Sequence, residues 1–426
     1  MSRLSFACFV TLALSLPAFA ENWPQWRGPK NDGHSTEKGL VTEWSPTKNI
    51  LWKLPMPGPG SSTPAIWGDR MFFTSMDKDD VVLMCVGTDG KEKWRKPMGS
   101  PANYKQMKDE GGNLASGSCS TDGKLVFAFA GSGKLAAFDF DGKEVWALDT
   151  LKIQGEDKFN IQFGAHWTPV LHDGKLYVTL FDRKEQNMLA LDASTGHVDW
   201  KVERKSDSPK GVESPDVYAS PFIWQNGSLA LLIVHGNDYC TAHSLRDGAE
   251  IWRVTELNPK ASYNKAWRAV SSPLVTEDLI IVPSCKKGVT VAIDPLKAKG
   301  TIDPGSPAEK WRALKNTPDV PSPIRVGDLV YIMGEVGTLY CYDIKTGKVI
   351  YEEKITNMRH RANPVCIDGK LYLVGRDGTT VVVKAGREFE KLAENKLPDV
   401  FGASPAVSDG RIYLRGWKDL YCIGTK

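Results

Sequence analysis

Residues Ala190 to Trp200 read ALDASTGHVDW, and this stretch decides the fold. Leu189 and Leu191 alternate with small Ala190 as the end of a strand, Asp192 to Gly196 has turn chemistry, and Val198 and Trp200 begin the next strand. The stretch is a hairpin with a Trp at a fixed offset. Looser copies recur: CVGTDGKEKW ending at Trp94, AFDFDGKEVW at Trp146, AHSLRDGAEIW at Trp252 and CYDIKTGKVIY at Tyr351. Ahead of each copy stands a Ser-Pro or Thr-Pro, followed about eight residues later by an apolar pair, as in TPVLHDGKLYVT from Thr168. Pro64, Pro169, Pro221, Pro273, Pro323, Pro364 and Pro405 mark this second element, and Ser118 in SCSTDGKLVFAF fills the one gap. The chain therefore contains eight units, each about 41 to 54 residues long.

Units of this length, rich in β-branched and aromatic residues, with DG, NG or TG turns and no helical period, are what four-stranded propeller blades require. The expected fold is all-β, an eight-bladed β-propeller of four-stranded antiparallel blades spanning residues 49–426. The 14 Trp among 426 residues suit it, because one large side chain per blade fills the wedge between neighbouring sheets. Ile50 to Leu54, ILWKL, reads as a strand carrying a Trp with no blade of its own. The eighth unit, conversely, has strands around Ser404 to Leu414 and Leu420 to Ile423 and then ends. The sequence predicts that Ile50 to Leu54 closes the last blade and removes both open edges.

Residues 1–20 differ from the rest. Arg3, the apolar run Phe6 to Leu16 and Ala18-Phe19-Ala20 have the layout of a signal peptide cleaved before Glu21, which implies a periplasmic or secreted protein. The apolar run is too short to span a bilayer, and no other stretch is long enough. Residues 21–48, including NWPQWRGPKNDGHS from Asn22, form an irregular segment expected to lie against the ring. The net charge is +3, or +2 without Arg3, which gives no reason to expect nucleic acid as a partner. Seven cysteines remain after Cys8; Cys85, Cys341 and Cys422 occupy the place of Ala137, Ala190 and Ala242 in sister units and read as small core residues. The insertion from Asp294 to Trp311 in the fifth unit and the polar run Pro101 to Gly112 read as surface loops.

AxDxxTGxxxW, intact in Ala190 to Trp200, resembles the tryptophan-docking motif of the pyrroloquinoline-quinone (PQQ) repeat of quinoprotein alcohol dehydrogenases and of the BamB assembly lipoprotein. The resemblance covers residues 50 to 424 and implies the eight-bladed fold. It leaves function open, since the motif serves packing in members with and without the cofactor. The vicinal Cys pair of the enzyme members and the CxxCH of their haem domains are absent from this sequence.

In a propeller, the loops entering the innermost strands and those joining second to third strands converge around the axis. Here they carry His166, Trp167, Trp267, Arg268, Arg359, His360, Arg361, Arg376, Arg415 and Trp417, together with Tyr218. Arg with Trp and His around one axis suits an anionic ligand, held by bidentate contacts and stacking; the alternative is a water-filled channel whose Arg side chains satisfy strand-end carbonyls. His243 is placed on an exposed strand position. Two functions follow. One is an exported binding module for protein or polysaccharide, without catalysis. The other is a PQQ- and calcium-dependent dehydrogenase of alcohols or sugars, with Glu335 or Asp182 as base and metal neighbour.

Overall fold

The computed structural model describes residues 21–100, 112–209, 212–236, 238–285, 288–334 and 336–425. Residues 1–20, read above as a signal peptide, and most of the polar run from Pro101 lie outside the described residues. The rest forms eight antiparallel sheets in sequence, each consecutive hairpin contributing the next strand outward. In the third blade, for example, the order is Val170–His172, Lys175–Phe181, Gln186–Asp192 and Val198–Glu203. The middle strands are buried on both faces and the outer ones alternate, as in Val198–Glu203. That pattern follows from sheets stacked face to face with one edge toward solvent.

The eighth blade closes as the sequence predicts. Ile50–Pro55 runs antiparallel to Asp419–Ile423, with Trp52 opposite Cys422 and Leu54 opposite Leu420, so first and last segments share one sheet. Two departures concern the outer and inner edges. Gly300–Ile302, inside the insertion expected as a loop, adds a fifth, parallel strand beside Trp252 to Val254 of the fourth blade. His34–Ser35 pairs in parallel with Cys366 and Ile367, the innermost strand of the seventh blade.

The repeat motif acquires a physical meaning from the register. The small residue lies directly across from the large one: Ala190 faces Trp200, Ala137 faces Trp146, Cys85 faces Trp94 and Cys341 faces Tyr351. Asp192 closes the intervening turn, accepting from the Ser194 and Thr195 amides and hydroxyls through Oδ1. Those hydroxyls hold its carboxyl at about 2. Each indole then reaches the following blade. Trp52, Trp94, Trp146, Trp200 and Trp311 donate Nε1–H to the carbonyls of Thr88, Phe140, Ala193, Leu245 and Ile344, at 2.8 to 3.1 Å. The turn glycine beneath must be glycine: a Cβ on Gly90 would lie 2.7 Å from Trp52, and one on Gly347 2.5 Å from Trp311. Trp252 has no such turn to reach, because the insertion replaces it, and its Nε1 has no hydrogen-bond partner among the described residues.

Candidate functional site

The Ser/Thr-Pro element that opens each blade builds the centre of the molecule. The residue before proline at seven of the innermost strands, and Ser118 before Cys119 in the second blade, receives the backbone N–H of its counterpart in the preceding blade. Thr63 N donates to Ser118 Oγ at 3.0 Å, Ser118 N to Thr168 Oγ1 at 3.1 Å, Thr168 N to Ser220 Oγ at 3.1 Å and Ser220 N to Ser272 Oγ at 3.0 Å. Ser272 N donates to Ser322 Oγ at 3.0 Å, Ser322 N to Asn363 Oδ1 at 2.5 Å, Asn363 N to Ser404 Oγ at 2.9 Å, and Ser404 N back to Thr63 Oγ1 at 3.0 Å. Eight bonds close a crown around the axis, one per blade. Its members are buried, so each bond satisfies an amide that would otherwise be desolvated without a partner.

The N-terminal segment crosses the axis beside this crown. Trp23 exchanges backbone bonds with Ile66 of the first blade, Pro24 O accepts from Thr121 N of the second, and Trp26 lies 6.2 Å from Phe222 of the fourth. Arg27 donates to Pro323 O of the sixth at 2.8 Å, and His34 continues along the seventh. Arg27 is 2 % exposed, and burial pushes its guanidinium down to about 10. The segment thus plugs the centre of the ring, and what remains on the entering-loop side is a blind funnel rather than a through channel.

The funnel encloses about 130 Å³. Trp26 forms its floor, crown residues Ser118, Thr168, Ser220 and Asn363 ring the base, and Phe163, His166, Tyr218, Arg268 and Arg361 form walls, with Val270 and Val320. His166 stacks on Tyr218 with centroids 5.0 Å apart, and burial pushes the imidazole down to about 4, so it is neutral at pH 7. The Tyr218 hydroxyl is fixed by Asp216 at 3.3 Å and Phe163 N at 3.1 Å; Asp216 is itself gripped by Arg183 at 2.6 and 2.8 Å. Arg268 lies over the Phe163 ring at 4.8 Å and bonds Glu213 at 3.1 Å. Among the described residues, no Asp or Glu lines the funnel.

Of the residues singled out in the sequence, His166, Arg268 and Arg361 therefore come together, with Tyr218. Trp267 lines a small adjoining cavity that also touches Arg268. Arg376 packs over Trp417 at 5.2 Å, and with exposed Arg359, whose carbonyl accepts from Arg376 N, makes a separate patch between the seventh and eighth blades. Trp167 is fully buried against Phe129 and Phe159, donating to Val217 O at 2.8 Å. His360 is buried, bonded to Thr356 Oγ1 at 3.1 Å. Arg415 is fully buried and ties the eighth blade to the first through Gly58 O at 2.9 Å and Ser75 Oγ at 2.7 Å. His243, read as exposed, is 1 % exposed, bonded to Gly248 O and Thr241 Oγ1, because the preceding blade covers that face. Asp182 is spent on the amides of Asn160, Lys184 and Glu185, and Glu335 lies outside the described residues. Trp26 and Phe163 carry no periodic signal that would have placed them here; the crown hydroxyls had one, the recurring residue before proline.

The lining also tests the fit of PQQ and calcium. Calcium takes oxygen ligands dominated by carboxylates, and among the described residues none faces the funnel, nor does any cluster of three His, Cys, Asp or Glu occur. Cofactor-sized ligands occupy pockets of about 300 Å³ or more, against about 130 Å³ here. The residues present do not fit that pair.

An eight-bladed ring of PQQ-type repeats around an axial funnel defines a class of packing-repeat propellers. The chain belongs to the family described as outer membrane protein assembly factor BamB, whose model matches residues 34–146, 88–297 and 298–392. Its fold is similar to that of BamB from Moraxella catarrhalis, with 14% identity over 88% of this chain and 97% of that one and a TM-score of 0.63. It is similar as well to a europium-containing methanol dehydrogenase, at 12% identity over 95% and 98% of the chains, TM-score 0.67. The quinohemoprotein alcohol dehydrogenase of Comamonas testosteroni gives 13% identity over 95% and 81%, TM-score 0.68. No curated protein matches the chain. At these identities the likeness establishes the fold alone.

Proposed function

We propose that this chain is an exported binding module, without catalysis, that takes a protein or polysaccharide partner at its axial face. The observation that carries this reading is the blind funnel, walled by Arg268 and Arg361 and free of carboxylates among its described lining residues. Two guanidiniums with aromatic faces beside them suit an anionic group on the partner. Membership of a family described by an assembly factor supports a scaffold role. In this reading residues 1–20 direct export, residues 21–48 form the plug, and the interblade indoles are the docking device that keeps the ring rigid. The near-neutral charge gives nucleic acid no footing.

The dehydrogenase reading rests on the shared fold and meets a funnel unsuited to calcium and PQQ. Calorimetric titration of the purified chain with PQQ in the presence of calcium separates the two. The binding-module reading expects no saturable heat and no dye-linked oxidation of alcohols or sugars. Stoichiometric uptake with turnover would sink it.

A further inference from the structure

The base of the funnel is a bed of neutral hydrogen-bond donors. Ser118, Thr168 and Ser220 each accept a backbone N–H in the crown, and among the described residues their own hydroxyl protons go to no acceptor. Ser61 Oγ, also in the lining, is buried and has no hydrogen-bond partner among the described residues. Buried polar groups are paired in the great majority of native structures, so this cluster, under two guanidiniums, is arranged for an acceptor-rich group. A carboxylate has about four lone-pair sites and no proton to place. A sugar residue carries several O–H donors of its own, and the described lining offers them no carboxylate. The remaining walls, Phe163, Val270 and Val320 over Trp26, are apolar. Because the plug closes the space below, it admits a chain end and not a chain passing through.

We propose that the funnel binds the C-terminal residue of a polypeptide, its α-carboxylate on the crown hydroxyls and Arg361, its apolar or aromatic side chain against Phe163 and Trp26. This rests on the binding-module reading and assigns its partner as protein. The test is fluorescence polarisation with a labelled pentapeptide ending in Phe, as the free acid and as the C-terminal amide, on the full mature chain. Charge-assisted hydrogen bonds set the scale, so the acid should bind about tenfold or more tightly than the amide. Arg361→Gln should weaken the acid about tenfold. Ser61→Ala, which breaks no bond of the crown, should weaken it a few-fold, and both should leave the amide unchanged at an unaltered melting temperature. Equal binding of acid and amide, or indifference to both substitutions, overturns the proposal. A glucuronate hexamer that binds with dependence on Arg361 where the peptide does not also overturns it, while leaving the binding module standing. Uptake of PQQ with calcium and of neither chain end removes both.

Discussion

His166, His235, His243 and His360 share one property at the residue scale: burial holds each imidazole well below its ordinary value, to about 4, 3, 4 and 4. In the unfolded chain they titrate near 6.5, so below that pH the unfolded state binds more protons and the fold loses stability as pH falls. Urea denaturation should show a constant midpoint above about pH 7 and a decline from about 6.5 toward 4, by roughly 1.4 kcal/mol per pH unit for each of the three fully buried rings. A flat profile across that window would contradict the burial of these rings. His166 adds a binding effect of opposite sign. An anion in the funnel raises its affinity for a proton, so affinity for a carboxylate ligand should increase from pH 7 to pH 5, measurable by the same polarisation assay at each pH. Glycine is the other sharp position: Gly347 and Gly369 both have positive φ, near +65° and +68°, yet only at Gly347 would a Cβ strike an indole. Gly347→Ala should cost roughly 2 to 4 kcal/mol and Gly369→Ala about 1 to 2, a difference that thermal denaturation resolves.

Among elements, the strand Ile50–Pro55 and the plug before it do the closing. Deleting residues 21–54 exposes the edge Asp419–Ile423, removes the Trp52 contact with Tyr413 and Thr88, and opens the base of the funnel. The loss should be at least about 3 to 5 kcal/mol, and a truncated chain melting at the temperature of the full one would refute the shared blade. This closure was legible in the sequence, because ILWKL is a strand without a blade and the eighth unit is a blade without an outer strand. The extra strand Gly300–Ile302 was not, since its Pro, Gly and Lys content describes a loop and its pairing is decided by the neighbouring blade. The course of the plug was equally hidden. Trp23, Pro24, Trp26, Arg27 and His34 are placed by contacts with five different blades, and no local period records such contacts.

At the scale of the whole molecule, the crown turns eight blades into one ring and at the same time sets the base of the site. Ser220→Ala should leave the buried Thr168 amide without its acceptor and cost about 1 to 3 kcal/mol by denaturant titration. The recurrence of Ser or Thr before Pro was visible along the chain, but its bonds run between units some 50 residues apart. The axial position of His166, Arg268 and Arg361 was also readable from blade topology. Which side chains of the entering and second-to-third loops point inward was not: Trp167 turns into the core and Arg415 into the first-blade junction, because each finds a carbonyl there. The claim that binds these scales together is that ligand enters the blind funnel above the crown. Hydrogen-exchange mass spectrometry on residues 21–426, with and without saturating C-terminal-acid peptide, tests it most directly. Protection should rise in the segments 163–168, 216–220, 268–272 and 359–363 and nowhere on the outer strands; protection confined to the outer strands, with these four segments unchanged, would contradict it.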